Sequence, residues 1–213
     1  MFAIKKFKLL NKLVVKNQLR SLDIRQKSNS PRKMSKIVWI DMEMTGLNLH
    51  KDRIMEIACL ITDNSLNVVA EHPTVVINQP DSLLDSMDEW CTTTHTQTGL
   101  LAECKNSKVT EKQAEDLILN FLNENNIKSF SSPLAGNSVY MDRMFLREYM
   151  PRIDSHLHYR IIDVSTIKEL CKRWNGSLFS NVPSKKNVHR GLSDIEESIN
   201  ELKYYKQFMF LPE

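Results

Sequence analysis

The sequence lacks long stretches without charge. Its longest uncharged runs are 90–102 and 129–141, each of 13 residues and each rich in polar side chains. A helix that crosses a bilayer needs about 20 mainly apolar residues, so we expect no membrane-spanning segment. Lysines also interrupt every candidate apolar core near the amino terminus, which argues against a secretory signal peptide.

Cysteine is scarce as well, and no internal repeat is present. The four cysteines show neither close pairing nor the spacing of a zinc site; they are Cys59, Cys91, Cys104 and Cys171. We therefore predict free thiols, which suit a reducing compartment such as the mitochondrial matrix or the cytosol. A chain of 213 residues without repeats predicts one domain of ordinary size with a substantial core.

Charge is distributed unevenly along the chain. Residues 1–36, here called the leader, hold eleven of the 29 basic residues and one of the 26 acidic residues, so the remainder carries −7. A basic, amphipathic, acid-poor leader is typical of a mitochondrial transit peptide. The alternative is a basic arm with non-specific affinity for RNA. We predict a leader at 1–36, a folded domain at 37–213 and a mitochondrial location, in the matrix or intermembrane space. A second start at Met34 would give a cytoplasmic or nuclear form.

Hydrophobic periodicity predicts an α/β domain. Strands are predicted at 37–41, 54–62, 68–77, 133–136 and 159–162, and helices at 81–90, 92–98, 111–124, 139–149, 164–173 and 191–205. Residues 174–188 lack periodicity and are expected to form a loop. Three consecutive strands predict antiparallel pairing. The alternation of helices and strands that follows predicts a mixed central sheet flanked by helices.

Two carboxylates lie at the end of the first predicted strand. Asp41 and Glu43 are two positions apart, so an extended strand directs both to one face. Neighbouring carboxylates repel unless a cation lies between them, and hard oxygen ligands favour Mg²⁺ or Mn²⁺. An isolated pair of this kind is more often a solvated strand end. Here, however, Gly46 permits close backbone approach, and Leu47 offers an apolar surface beside the pair.

A third acid, Asp142, lies beside the apolar face of the helix predicted at 139–149. A carboxylate near a buried face needs a partner, because burial of an unpaired charge is costly. The alternative is a surface pair with its neighbour Arg143, or a charge at the start of the helix. On the residues alone, these two interpretations stay open.

The last helix contributes a histidine and a fourth acid. Ser193 and Glu196 match a capping box, which would place Asp194 in the first turn and leave His189 on the preceding loop. A loop histidine with an ordinary pKa near 6.5 can accept a proton at neutral pH. For an isolated histidine, a surface position beside Arg190 is the simpler interpretation.

The order of these residues is the three-motif signature of the DEDDh exonucleases. Within that group the chain resembles the oligoribonucleases, over residues 37 to 205 and most clearly in the segments 39–47, 89–91, 135–138 and 158–166. The resemblance implies an RNase H-like fold and 3′-to-5′ cleavage of very short RNA, down to dinucleotides, with release of nucleoside 5′-monophosphates. It also implies two Mg²⁺ or Mn²⁺ ions held by Asp41, Glu43, Asp142 and Asp194, with His189 accepting a proton from the attacking water.

Substrate length would depend on residues outside the acidic set. In the resemblance, Leu47 and Trp90 contact the bases at the 3′ end, and the 5′ phosphate is bound by Ser138, Arg160, Ser165 and Thr166. Family members are homodimers in which Tyr159 enters the partner's site, and His95 also matches a family position. Taken without the family, Trp90 would be a core aromatic, and Ser165 and Thr166 a helix N-terminus.

The chain departs from the family pattern in the last motif, where Gly191 and Ser193 replace the more usual alanine and acid. The 174–188 segment also differs from that expected of the family. One competing interpretation is an exonuclease for DNA or for longer chains. Another is an inactive RNA-binding module, which the presence of all five catalytic residues disfavours. The acidic body also argues against stable binding of long nucleic acid, because such binding needs a basic surface.

Overall fold

The computed structural model describes residues 36–184 and 189–210, which fall within one compact unit that the chain forms from Ser35 onward. Nearly all of the leader, and residues 185–188 of the segment expected to be a loop, lie outside the described residues. The transit-peptide interpretation therefore stays a prediction. No helix in the described ranges is long and apolar enough to cross a bilayer.

Five strands form one mixed sheet, as the sequence predicted. They are β1 (Ile37–Met44), β2 (Ile54–Thr62), β3 (Val68–Val76), β4 (Leu134–Gly136) and β5 (Ile161–Asp163). The strand order is β3-β2-β1-β4-β5. The first three strands pair antiparallel, whereas β4 pairs parallel with β1 and with β5. Strand β1 is longer than predicted, because Glu43 still opposes Glu56 of β2.

Helices cover both faces of this sheet. In the described ranges they are α1 (Asp81–Leu84), α2 (Glu89–Gln97), α3 (Leu100–Asn106), α4 (Glu111–Glu124), α5 (Tyr140–Tyr149), α6 (Pro151–His156), α7 (Val164–Trp174), α8 (Gly176–Phe179) and α9 (Gly191–Phe208). Helices α3, α6 and α8 were not predicted. Gly99, at φ +80°, separates α2 from α3. Pro151 ends α5 as predicted, but it also begins α6, because proline suits a first helical position.

The alternation of β1 between the two faces fixes where the site forms. Val38, Ile40 and Met42 pack in a core shared with α4 and α5, whereas Trp39 packs on the opposite face, in a core shared with α7 and α9. Because side chains alternate along a strand, the residues two and four positions after Trp39 also face α9. Those residues are Asp41 and Glu43, so the two acids point to the face that α9 covers.

All four cysteines lie in the described residues as buried thiols. The prediction of free thiols is confirmed. The prediction of a loop at 174–188 is wrong over Gly176–Phe179, where a short helix forms. The Asn175 side chain accepts from the Leu178 N–H at 3.1 Å at the start of this helix.

Candidate active site

A cavity of about 460 Å³ opens where β1 ends against α5 and α9. It is lined by all five predicted catalytic residues, namely Asp41, Glu43, Asp142, His189 and Asp194, and by Met42, Met44, Leu47, Asn137, Ser138, Tyr140, Met141 and Ser198. Residues from three separate parts of the chain, 41–47, 137–142 and 189–198, thus meet at one place. This convergence is what the order of the motifs predicted.

Asp142 is buried and has a backbone partner on β1. Its Oδ1 accepts a hydrogen bond from the Met42 N–H at 3.0 Å. Arg143 instead forms an ion pair with Asp154 and donates to the His158 carbonyl at 3.0 Å. The alternative of a surface pair between Asp142 and Arg143 is therefore wrong. The carboxylate is held at the end of β1, beside the two acids of that strand.

Helix α9 delivers Asp194 from its first turn, although the capping box proposed for it does not form. The helix begins at Gly191, two residues before Ser193, and among the described residues no side chain caps its start. The Asp194 N–H donates to the Arg190 carbonyl at 3.1 Å, which places Asp194 at the opening turn as predicted. His189 precedes the helix with φ +53°, a left-handed backbone conformation that is unusual for a side chain of this size.

Three of the predicted catalytic side chains lie within coordination reach of one point. Glu43, His189 and Asp194 each offer a ligand atom, and these atoms lie within 4.8 Å of one another. Carboxylate oxygens and an imidazole nitrogen form a donor set that first-row divalent cations accept, and carboxylates suit Mg²⁺ or Mn²⁺. The arrangement fits a divalent cation between β1 and α9.

The raised pKa values of two acids in the cavity also favour a bound cation. Burial raises the pKa of Glu43 to about 8, with further contributions from the negative charges of Asp194, Glu56 and Asp142. Burial likewise raises the pKa of Asp142 to about 8. Without a cation these carboxyl groups hold protons that ordinary acids release at low pH. A divalent cation beside these carboxylates would favour their ionised forms and so oppose the effect of burial.

We therefore expect metal affinity to rise with pH. Below a pKa of about 8 the Glu43 carboxyl keeps its proton in the metal-free protein, so a cation must displace that proton in order to bind. Affinity for Mn²⁺ should increase by about tenfold per pH unit for each displaced proton between pH 6 and 8. Calorimetric titration in buffers of different ionisation enthalpy measures both the affinity and the protons released. An affinity that is constant across this range would contradict the assignment.

Glu56 belongs to the site, and sequence reasoning missed it. Its side chain is fully buried, with Oε1 accepting from the Gly191 N–H at 2.9 Å and Oε2 paired with Arg190 Nη2 at 2.9 Å. The same guanidinium reaches Glu103 Oε2 at 2.8 Å and the Thr98 carbonyl at 3.4 Å. These contacts tie the start of α9, immediately after His189, to β2 and to α3. An acid inside an otherwise apolar strand was the signal that could have identified Glu56.

Replacing Glu56 with alanine should destabilise the fold. The change leaves the Gly191 N–H and part of the Arg190 charge without a buried partner, and breaking one side of a buried ion pair costs about 3–5 kcal/mol. Urea unfolding followed by circular dichroism measures this loss. Glu71→Ala, an exposed glutamate on β3, is the matched control and should change stability little. Equal effects of the two substitutions would show that the Glu56 contacts do not anchor α9.

Two apolar side chains flank the acids at the mouth of the cavity. Leu47 is 65 % exposed and Trp90 is 60 % exposed, so the core alternative for Trp90 is wrong. The Trp90 ring meets the His189 ring edge to face, with centroids 5.6 Å apart. Asp88 accepts from the Cys91 N–H at 2.7 Å at the start of α2, which holds Trp90 in the first turn. Exposed apolar surface beside an acidic cavity is a feature of a binding site.

Leu47 is presented by a compact loop that Asp52 organises. Asp52 accepts from the Thr45 hydroxyl at 3.1 Å and from the Asn48 N–H at 2.9 Å. A Cβ atom added at Gly46 would approach the Asp52 Oδ2 atom to 2.4 Å, so this carboxylate fills the space that a side chain at position 46 would need. The close approach expected at Gly46 is therefore present, and it is made with Asp52.

His95 differs from the other substrate-binding candidates because it is buried. Its Nε2 lies 3.0 Å from the Met44 carbonyl, at the end of β1. Burial lowers the pKa of this imidazole, which favours its neutral form at pH 7. The His95 side chain thus contacts the end of β1 through this hydrogen bond. It is not among the described residues that line the cavity.

The residues predicted to hold a 5′ phosphate fall into two groups. Ser138 lines the cavity, and its N–H donates to Asp163 Oδ1 at 3.0 Å and to Ser165 Oγ at 2.9 Å. Asp163 caps α7 by accepting from the Ser165 N–H at 2.9 Å, so Ser165 and Thr166 do lie at a helix N-terminus.

The second group is Arg160 alone, which is exposed just before β5 next to Tyr159, the residue predicted to enter the partner's site. The Arg160 guanidinium lies 5.2 Å from the centroid of the Tyr159 ring, which is 72 % exposed. Neither is among the described residues that line the cavity of this chain.

The mixed sheet and the acidic cavity at the end of its first strand define an exonuclease of the RNase H-like type. The exonuclease family model named RNase_T matches residues 38–202. Two solved structures of exonuclease I have a similar fold, one of them the zinc-bound E. coli enzyme with single-stranded DNA. Each has a TM-score of 0.63 and 17 % identity, and the match covers 82 % of this chain and 41 % of the other.

Closer relatives identify the branch of that class. The chain is 52 % identical over 174 residues to a probable oligoribonuclease of Drosophila melanogaster, covering 82 % of each. It is 51 % identical over 175 residues to the mitochondrial oligoribonuclease of Homo sapiens, covering 82 % of this chain and 73 % of that one. It is 47 % identical over 171 residues to the oligoribonuclease of Chromobacterium violaceum, covering 80 % and 93 %. The chain belongs to the oligoribonuclease family and is a hydrolytic exonuclease of that type.

Proposed function

We propose that this protein degrades very short RNA oligonucleotides, down to dinucleotides, from the 3′ end and releases nucleoside 5′-monophosphates. The observation that carries the proposal is the convergence of Glu43, His189 and Asp194 within 4.8 Å, beside the exposed ring of Trp90. This places groups that can handle a phosphodiester next to a surface on which a base can stack. The family membership supports the same substrate class.

The chemistry would be hydrolysis at the last phosphodiester. Asp41, Glu43, Asp142 and Asp194 would hold two divalent cations, Mg²⁺ or Mn²⁺. Such a pair, when bound, stabilises charge on the attacking and leaving oxygens of an in-line displacement. His189 accepts a proton from the attacking water, and the 3′ oxygen of the preceding nucleotide leaves. The His189 ring lies against the Trp90 ring and offers an atom within 4.8 Å of carboxylate oxygens of Glu43 and Asp194, which supports that role.

The preference for short chains would come from two sets of residues. One is apolar and contacts the 3′ end, and the other, here called the phosphate cap, binds the 5′ phosphate. Leu47 and Trp90 would contact the bases at the 3′ end, and stacking on an aromatic ring tolerates any base. A 5′ phosphate would be bound by Ser138, Arg160, Ser165 and Thr166, and His95 would support the site from beneath β1. We also propose a homodimer in which the exposed Tyr159 reaches the site of a second copy. The −7 charge outside the leader disfavours a stable complex with long nucleic acid.

We propose a mitochondrial location directed by the leader. The composition of residues 1–36 and the mitochondrial names of the human, bovine and mouse relatives support it. Fusion of residues 1–36 to a fluorescent reporter tests this, with co-localisation to mitochondria expected. A diffuse cytosolic signal would contradict the targeting role, and a chain started at Met34 serves as the untargeted control.

Substrate length is tested with labelled di-, tetra- and decaribonucleotides in Mg²⁺. The dinucleotide should be cleaved with the highest kcat/KM, because its two ends reach the catalytic carboxylates and the proposed cap together. A decamer cleaved as efficiently as the dinucleotide would reject the short-RNA proposal and favour an exonuclease for longer chains. Failure to cleave any of the three would favour the inactive RNA-binding alternative.

Trp90→Ala should raise KM for a dinucleotide by about tenfold, because stacking of a base on an aromatic ring contributes about 1–3 kcal/mol. The chain offers a matched control in Trp174, at the end of α7, which is 74 % exposed and does not line the cavity. Trp174→Ala should leave KM unchanged. Steady-state kinetics on both variants compare the two, and an equal change in KM would contradict stacking at Trp90.

A further inference from the structure

Asn137 lies between the metal-binding side of the cavity and the proposed phosphate cap. It follows β4, lines the cavity and forms hydrogen bonds in two directions. Its Nδ2 donates to Ser198 Oγ of α9 at 2.5 Å, and its Oδ1 accepts from Ser165 Oγ of α7 at 3.2 Å. One side chain thus joins the helix that carries Asp194 to the helix start that carries Ser165.

The direction of each bond is determined by its neighbours. The buried Ser198 hydroxyl donates to the Asp194 carbonyl at 2.7 Å, so its oxygen can only accept from Asn137. Asn137 Nδ2 also lies 3.5 Å from Oε2 of the buried Glu201, and a carboxylate accepts hydrogen bonds. The amide nitrogen must therefore face α9. The amide oxygen is left to face Ser165.

Glu201 is itself held in place. Its Oε1 accepts from the Tyr205 hydroxyl at 3.0 Å and lies 3.6 Å from Lys168 Nζ of α7. The carboxylate is buried, so the Asn137 amide nitrogen faces a hydrogen-bonded group that solvent does not reach.

The hydrogen bond between Asn137 and Ser165 determines which bonds the Ser165 hydroxyl can form with Ser138. Because the Ser165 hydroxyl donates to Asn137, its oxygen accepts from the Ser138 N–H at 2.9 Å. The Ser138 backbone is in the left-handed region, at φ +50°, and needs such support. The two serine hydroxyls lie 3.2 Å apart, and because the Ser165 hydrogen is donated to Asn137, the Ser138 hydroxyl is the donor between them.

We propose that Asn137 is a positioning residue that sets the distance between the catalytic carboxylates and the serine pair Ser138–Ser165. This inference rests on the proposed function, in which that pair binds a 5′ phosphate. In that function the 5′ phosphate and the reacting phosphodiester of a dinucleotide are engaged together. Asn137 itself does not touch the reacting atoms. It acts on the serine pair through its bond to Ser165, while its bond to Ser198 of α9 holds the other end of the amide in place.

The test compares two substrates in Asn137→Leu, a change that removes both hydrogen bonds at similar side-chain volume. For a 5′-phosphorylated diribonucleotide, kcat/KM should fall about tenfold, mainly through KM, because the loss of hydrogen bonds of this kind has an effect of that order. For the same dinucleotide without its 5′ phosphate, kcat/KM should change less than about threefold, since that substrate makes no use of the cap. Equal losses on both substrates would overturn the proposal.

Two further variants keep the test decisive. Asn137→Ser removes the same links with a small polar side chain, and it should reproduce the substrate difference even where the leucine variant folds poorly. Asn106→Leu, an exposed asparagine of α3 whose Nδ2 donates to the Ala102 carbonyl at 2.9 Å, is the matched control and should show no substrate difference. A substrate difference in the control, or its absence in Asn137→Ser, would overturn the inference.

A double-mutant cycle tests the route of the effect. Because Asn137 acts through Ser165, the loss in Asn137→Leu with Ser165→Ala should be less than the sum of the two single losses. Additive losses would contradict that route. Failure of the proposed function is seen separately, in the wild-type protein, as the lack of any preference for the short substrate.

Discussion

Asp194→Asn is expected to lower kcat for a dinucleotide about a thousandfold or more, because a divalent cation contributes several kcal/mol of charge stabilisation in such reactions. The substitution replaces a charged ligand of the Glu43, His189 and Asp194 cluster with a neutral group of the same shape. Calorimetry should show the loss of Mn²⁺ binding in parallel. Both losses have one cause, which is the removal of a negative charge between β1 and α9.

Glu196→Gln is the matched control for this experiment. Glu196 is exposed on the same helix, two residues further along, and does not line the cavity. It was also one half of the capping box that does not form, so its replacement should change neither activity nor stability. Normal activity of Asp194→Asn would remove that side chain from the catalytic assignment.

His189→Gln is expected to reduce kcat by about 10²–10⁴-fold with little change in KM, which is the usual contribution of a general base. Mn²⁺ affinity should fall less than in Asp194→Asn, and added imidazole should restore part of the activity. His50→Gln, at an exposed histidine of the 45–52 loop, should leave kcat unchanged.

The same variant also tests whether His189 is a metal ligand, because its ring offers an atom within 4.8 Å of ligand atoms of Glu43 and Asp194. Loss of Mn²⁺ binding as complete as in Asp194→Asn, without rescue by imidazole, would assign His189 as a ligand and not as a base. The loss of Mn²⁺ affinity, compared with the loss of kcat, thus distinguishes a metal ligand from a general base.

The five strands, and the antiparallel pairing of the first three, were predictable from local pattern, whereas the strand order was not predicted. Residues 54–62 read as a buried strand because both faces of β2 are covered, and Asp41 and Glu43 share a face because strand side chains alternate. The candidate catalytic residues were predicted from the order of the three motifs, and all five line one cavity. These features could be predicted because each depends on the periodicity of one segment or on the order of residues along the chain.

Other features needed contacts between distant segments. Asp142 is fixed by the Met42 N–H, 100 positions away, and no local pattern distinguishes this from a surface pair. The helix predicted at 191–205 does begin at Gly191, but its start is held by Glu56, 135 positions away, which accepts from the Gly191 N–H, and not by a capping box at Ser193. The close fit of Gly191 is part of the same anchor, since an added Cβ would lie 2.8 Å from the Ala58 Cβ atom. Glycine in place of the more usual alanine therefore has a local physical reason in this chain.

The central claim, metal-dependent hydrolysis of a dinucleotide by the acidic cavity, is tested most directly by following a 5′-phosphorylated diribonucleotide under single-turnover conditions. With Mg²⁺ or Mn²⁺ the substrate should be converted completely to nucleoside 5′-monophosphates. EDTA should stop the reaction, and excess metal should restore it. Conversion that continues unchanged in EDTA, or products that carry a 3′ phosphate, would contradict the account.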